Sequence, residues 1–273
     1  DLGTQVTILE SAERLIPGAD PDIAKSLQRA FKKRGIRTIT NATLGGQTLL
    51  DTGVTVHLSD GTDIDVEKVI VSVGRTALSE GLGLENTTVE VDSEGCVVVD
   101  QYCRATASGV YAVGDLIATP QLAHVGFAEA MLAVQNIRDE KASSINYERT
   151  AWAIYCHPEV AYAGLTETQA HEAGLEIVVS KHRFIGNARA AIHGENEGMV
   201  KVIAERRRDG KAGRILGVHL IGPWVTEQLS QGYMAINWEL EIDQISKFIQ
   251  PHPTFSEVFG EAVLELAGRT LHG

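Results

Sequence analysis

The chain of 273 residues holds only three cysteines, Cys96, Cys103 and Cys156, and none belongs to a close pair. That is too few and too scattered for a disulfide framework, and it points to a reducing compartment, the cytoplasm. No apolar run approaches the ~20 residues that a membrane helix needs, and no signal-peptide pattern opens the chain, so no membrane association is expected. Basic charge is also scarce: 24 Lys and Arg against 36 Asp and Glu leave a formal charge of −12. With no basic stripe to offset phosphate repulsion, nucleic acid is excluded as a partner. The basic clusters Lys32-Lys33-Arg34 and Arg206-Arg207-Arg208 read as a helix C-terminus and a hairpin turn. Methionine is missing early: the chain begins at Asp1 and its first methionine is Met131, so a piece of a longer protein is expected.

What is present is ordered by period. Gln5 to Glu10 reads as a buried strand ending in an acid. Asp20-Pro21 then caps a helix whose apolar face is Ile23, Leu27, Ala30 and Phe31, Gly35 closes it, and Ile36 to Thr40 forms the next strand. This β-α-β order is part of a doubly wound nucleotide fold. Val54 to Leu58, the turn Asp60-Gly61 and Ile64 to Val66 predict a hairpin, and Val69 to Val73 a buried parallel strand ending at Gly74-Arg75. A strand over Gly109 to Val113 runs into Gly114-Asp115, and helical pattern resumes from Gly126 to Ile137. Beyond a polar linker at 139–146, strands (Ala151 to Tyr155, Glu176 to Ser180, Met199 to Ala204, Ile215 to Ile221) alternate with helices, the clearest from Val225 to Leu240. The fold class is therefore α/β: a partial doubly wound dinucleotide-binding domain, then a C-terminal α+β domain with an antiparallel sheet.

Four constellations carry chemistry. His252-Pro253-Thr254-Phe255-Ser256-Glu257 places a possible base beside a carboxylate able to orient it. The same run is a capping box, with Thr254 as N-cap and Glu257 three residues on. The two readings are compatible, because one carboxylate can bond a backbone N–H and an imidazole together. Glu10, at a strand end, suits the adenosine ribose of a dinucleotide and repels a 2′-phosphate, which favours NAD over NADP. The run Thr106 to Asp115 ends in a Gly that lets backbone approach a ligand and an Asp that can accept from a polyol, although a strand-end Gly-Asp alone is commonly just a turn. Pro120-Gln121-Leu122-Ala123-His124 opens a helix. Cys156-His157 has no second pair at ligand spacing, so no metal is expected. His57, His171, His182, His193 and His272 have no partner constellation and read as surface residues.

Taken in order, Glu10, Val73-Gly74-Arg75, Thr106 to Asp115, Leu122-Ala123-His124 and His252 to Glu257 resemble the flavin-dependent disulfide reductases, and most closely the dihydrolipoamide dehydrogenases, over residues 5 to about 268. The resemblance implies three parts: 1–78 as the remainder of an NAD-binding domain, 79–148 as a central FAD-contacting domain, and 149–273 as an interface domain. It assigns acid/base work to His252 with Glu257. It assigns cofactor contacts to Glu10 and Gly74 (NAD) and to Asp115, Gln121, Leu122, Ala123 and His124 (FAD). Tyr155 to Ala161 and Gly217 to Pro223 resemble the strands of the interface domain. A homodimer and a lipoyl-bearing protein of a 2-oxo acid dehydrogenase complex are the implied partners, and His252-Pro253 is implied to be cis. The family's redox Cys-x4-Cys pair and both Gly-rich dinucleotide loops are not found, so the chain alone is expected to be inactive and free of FAD. Two alternatives stay open: a glutathione-reductase-like disulfide reductase, which Glu10 without downstream arginines disfavours, and a non-catalytic dimerisation module.

Overall fold

A computed structural model describes residues 2–272. Strands β1 (Thr7–Leu9) and β2 (Arg37–Ile39) pair in parallel on either side of helix α1 (Pro21–Lys33), completing the expected β-α-β order. Asp20 caps α1 by accepting from the Asp22 N–H at 3.0 Å, and Gly35 takes the left-handed turn (φ +78°) that returns the chain to β2. An antiparallel meander follows: β3 (Leu44–Leu50), β4 (Gly53–Leu58) and β5 (Asp63–Val66).

Two expected strands are not formed. Val69 to Val73 is irregular, with Ile70 91% exposed. An apolar run becomes a strand only where a neighbour takes its backbone bonds, and the parallel sheet among the described residues consists of β1 and β2 alone. Gly109 to Val113 makes only an isolated bridge, Tyr111 to Arg104, because Cys103 (φ +63°) and Gly109 (φ +75°) bend the chain too tightly for a ladder. Helix α2 (Ala123–Ile137) starts earlier than Gly126.

Residues Ile70–Thr150 form one compact unit, and the chain up to Val69 together with that from Ala151 onward forms another. The second contains a five-stranded antiparallel sheet, β6 (Trp152–Ile154), β7 (Glu159–Gly164), β8 (Ile177–Arg183), β9 (Met199–Arg206) and β10 (Ala212–Gly222), in the order β6-β7-β10-β9-β8. Helices α3 (Glu167–Glu172), α4 (Ala188–His193), α5 (Val225–Asn237), α6 (Ile242–Ile245) and α7 (Glu257–Leu266) complete it. One sheet face packs on α5, α6 and α7 through Val200, Val202, Val218, Leu220, Leu229, Phe259 and Val263. The other takes the apolar face of α1, with Leu15, Ile23 and Leu27 against Val160, Tyr162, Met199 and Ile221.

At that junction Lys201 is 1% exposed, and its ammonium bonds Asp20 (2.7 Å), Asp22 (2.7 Å) and Glu167 (2.6 Å). A buried ammonium is tolerable only when such partners satisfy it. Burial alone would raise the Asp20 and Asp22 carboxyls, but Lys201 and neighbouring donors outweigh it and hold both low, Asp22 at about 2. Lys201 is itself pushed up: burial opposes its charge, and the three carboxylates more than compensate.

Candidate active site

The motif from His252 to Glu257 lies just ahead of α7, and α7 is fixed by Val258, Phe259, Ala262 and Val263, all buried in the main core. The His252-Pro253 bond is cis. Phe255 packs edge-on to Phe184 at 6.3 Å, and Asn187, which caps α4 through its Oδ1, donates from Nδ2 to Thr254 O at 2.9 Å. The motif is thus pinned to α4 on one side and to the core on the other.

Glu257 does both jobs open to it. One carboxylate oxygen accepts the Thr254 N–H at 2.7 Å, and the other accepts from His252 Nδ1 at 2.9 Å. Only half of the capping box forms, which corrects the expected N-cap. The helix begins at Glu257 behind Ser256, and the Thr254 hydroxyl turns instead to Pro251 O at 2.8 Å. Because a carboxylate only accepts, Nδ1 must carry the proton, which leaves the His252 Nε2 lone pair as the basic site. Glu257 is mostly covered while His252 is 61% exposed, so the orienting charge is sheltered and the base is reachable.

One further part of this site escaped the sequence. His272 donates from Nδ1 to Glu261 at 3.0 Å and lies stacked with His252, ring centroids 6.5 Å apart and planes within 12°. Burial alone would raise the Glu261 carboxyl, but His272 and the backbone N–H groups of Leu271 and His272 hold it below the usual range. Glu257-x3-Glu261 is the signal that could have found it, since residues four apart share a helix face. His57, also read as partnerless, bonds Asp63 at 2.7 Å and Thr48 at 2.8 Å.

The remaining predicted site residues are Glu10, in the unit of the large sheet, and Gly74, Asp115 and Gln121 to His124, in the unit spanning Ile70–Thr150. Glu10 ends β1, where its Oε1 accepts the Ala12 N–H at 2.9 Å and the Ser11 hydroxyl at 3.4 Å. Both bonds fall on Oε1. In the unit spanning Ile70–Thr150, Gly74 adopts φ +127°, a conformation that strains any residue with a Cβ. Asp115 forms a close ion pair with Arg75. Gln121 and Leu122 lead into α2, with Leu122 as an N-cap that contributes no side-chain bond, and Ala123 and His124 open its first turn.

The loop carrying Asp115 is held by a residue that sequence reasoning missed. Glu129 on α2 is fully buried and accepts from Gly114 N (2.6 Å), the Thr119 hydroxyl (2.7 Å) and the Tyr147 hydroxyl (3.0 Å). Burial and this carboxylate together push the Tyr147 phenol up, so it stays a donor. Gly114 Cα sits against Gly126, where an added Cβ would come within 3.3 Å of it. A buried glutamate on an otherwise apolar helix was the available clue.

Known proteins resemble the chain over nearly its whole length. The family model described as pyridine nucleotide-disulphide oxidoreductase matches residues 1–130, and that of the dimerisation domain of the same oxidoreductases matches residues 150–263. The chain is 36% identical to the dihydrolipoyl dehydrogenase of Bacillus subtilis, over 100% of this chain and 57% of that protein. It is 34% identical to the mitochondrial dihydrolipoyl dehydrogenase of Pisum sativum, over 99% and 54%. The structure of LpdA from Mycobacterium tuberculosis superposes with a TM-score of 0.89 at 25% identity, covering 97% of this chain and 57% of that one. The HOCl-induced flavoprotein disulfide reductase RclA of Escherichia coli superposes with a TM-score of 0.88 at 25% identity, covering 96% and 59%. The chain thus spans little more than half the length of the relatives it matches, and it belongs to the pyridine nucleotide-disulphide oxidoreductases.

Proposed function

We propose that the chain is the C-terminal part of an NAD-dependent dihydrolipoamide dehydrogenase in which His252 is the acid/base of dithiol–disulfide exchange. The observation that carries this reading is the Glu257 bond to Nδ1, which commits the imidazole to accepting a proton at Nε2. Oxidising a dithiol to a disulfide releases two electrons and two protons. His252 takes a thiol proton, and Glu257 stabilises the cation that results. In this reading 1–78, 79–148 and 149–273 are the NAD, central and interface parts.

A flavin fits the small unit. Asp115 on the loop braced by Glu129 is an acceptor for a polyol, with Arg75 as its present partner, and Gln121 to His124 offer the end of α2 to a ring edge that gains negative charge. FAD bound there would supply the electron-carrying ring. Glu10, with Oε2 available, is the proposed NAD contact of its unit, and Gly74 a proposed cofactor contact of the smaller one. The lipoyl-bearing subunit of a 2-oxo acid dehydrogenase complex is the proposed protein partner, and the three free cysteines suit the cytoplasm.

The test is a chimera in which this chain replaces the matching half of the Bacillus subtilis relative, so that the remainder of the enzyme is supplied. The chimera is expected to oxidise dihydrolipoamide with NAD, and His252→Gln to cut turnover by about 10²–10⁴-fold. A flavin-loaded chimera whose H252Q form is as fast would overturn the assignment. The chain alone is expected to be colourless and inactive, since no Cys-x4-Cys pair occurs in it. A second reading, a reductase for a different disulfide, is favoured by the equally close superposition of RclA. It predicts that the chimera's His252 serves other dithiols as well as dihydrolipoamide.

A further inference from the structure

His252 is largely exposed and is held at one atom only, so its bond to Glu257 fixes the tautomer but leaves the ring free to swing about that bond. A ring that swings moves Nε2 away from any fixed thiol. A second restraint is built into the fold. Glu257 and Glu261 lie one turn apart on α7, and after the helix the chain reverses: Gly268 takes φ +71° and donates to Glu265 O at 2.9 Å, while Arg269 N donates to Leu264 O at 2.8 Å. This Schellman turn brings Leu271 and His272 back over Glu261. There one carboxylate oxygen takes two backbone N–H groups at 3.3 Å and the other takes the His272 Nδ1 at 3.0 Å. The division of labour at Glu257 is thus repeated at Glu261, and the two imidazoles end up parallel. The returning segment is itself tethered, Arg269 donating to Ser246 Oγ at 3.1 Å.

We propose that His272, held by Glu261, is a positioning residue whose flat ring, parallel to that of His252, fixes the plane in which its Nε2 is presented. This deepens the reading of His252 as the acid/base and rests on it. The role asks for a flat, anchored ring rather than for a charge, since aromatic pairs at this separation are favoured in parallel-offset geometry.

The experiment uses the full chain labelled with ¹³C and ¹⁵N, at one alkaline pH for every variant. Order parameters of the His252 ring C–H bonds report how far the ring swings, and the shifts of its two nitrogens report the tautomer. In the wild type the ring is expected to be ordered and the nitrogen shifts well separated. His272→Ala is expected to lower the ring order parameter below about 0.6, the flexible range, with the tautomer unchanged, and His272→Phe, which keeps a flat ring without a titrating group, to retain the wild-type order. Unchanged ring order in H272A overturns the proposal, and so does an equal loss in H272F. Glu257→Gln distinguishes the underlying reading: if E257Q leaves the nitrogen shifts of the wild type intact, the orientation of His252 by Glu257 is wrong. If E257Q merges those shifts and H272A leaves the ring order unchanged, only the role of His272 is wrong.

Discussion

His219 lies fully buried on β10, stacked on Tyr162 at 5.9 Å, with its Nε2 N–H given to Leu165 O at 2.8 Å and its Nδ1 without a partner among the described residues. Burial disfavours the imidazolium strongly and the Leu165 carbonyl offsets only part of that, so its folded-state pKa is depressed. Below the ordinary imidazole range of about 6.5 the unfolded chain binds a proton that the folded chain refuses. The stability held by neutral His219 is therefore present above that range and is lost as pH falls through it towards the depressed value. Asp20 and Asp22 act in a separate, lower window: their stabilisation is complete above about 3.9 and fades as pH drops, towards about 2 for Asp22. His219→Gln, which can keep the donor to Leu165, is expected to flatten the fall of Tm between about pH 6.5 and 5 and to leave the lower fall intact. Parallel curves for the two proteins in the upper window would show that another group titrates there.

Helix α1 meets the large sheet through its apolar face and, at its start, through a buried ammonium. Lys201 on β9 bonds both carboxylates at the start of α1 and Glu167 at the start of α3, while Asp20 Oδ2 also accepts the Glu167 N–H at 3.1 Å. Lys201→Met would leave buried Asp20 without its cation, with Lys181 still on Asp22 at 2.7 Å, and is expected to cost about 3–5 kcal/mol in urea unfolding. A loss below about 1 kcal/mol would mean that water enters and replaces the ammonium. Elements such as α1, β4, β5, β8, β9, β10 and α5 were legible because each carries its own period and its own cap or turn. β3 was not, because Gly45 and Gly46 interrupt its pattern and a register shift falls between Leu44 and Gly46. The run Val69 to Val73 misled for the opposite reason: its composition is that of a strand, but pairing is decided by neighbours that local sequence does not contain. In the candidate site, the contact of His252 with Glu257 followed from five-residue spacing. The His272 stack depends on a chain reversal after α7, and the Glu129 brace on donors drawn from three separate segments.

For the whole molecule, self-association is the property that the dimerisation-domain match makes most direct to test. The unit that contains the large sheet exposes Met234 on α5, Trp238 at its C-cap, and Phe248 and Ile249 after α6, beside a groove of about 330 Å³. An apolar patch of this kind marks an interaction surface. The chain is expected to sediment as a dimer, and Ile249→Asp to weaken association at least about tenfold, some 1.4 kcal/mol. Equal sedimentation of the two proteins across dilution would place the interface elsewhere. The Lys201 cluster bears on how such a molecule can be divided. The family models part the chain between residues 130 and 150, yet the buried ammonium of the large sheet reaches back to Asp20 and Asp22. A piece trimmed to begin at residue 150 would keep the lysine in its well with Glu167 and lose the other two carboxylates, so the boundary drawn by ancestry is not a place where the protein can be cut without cost.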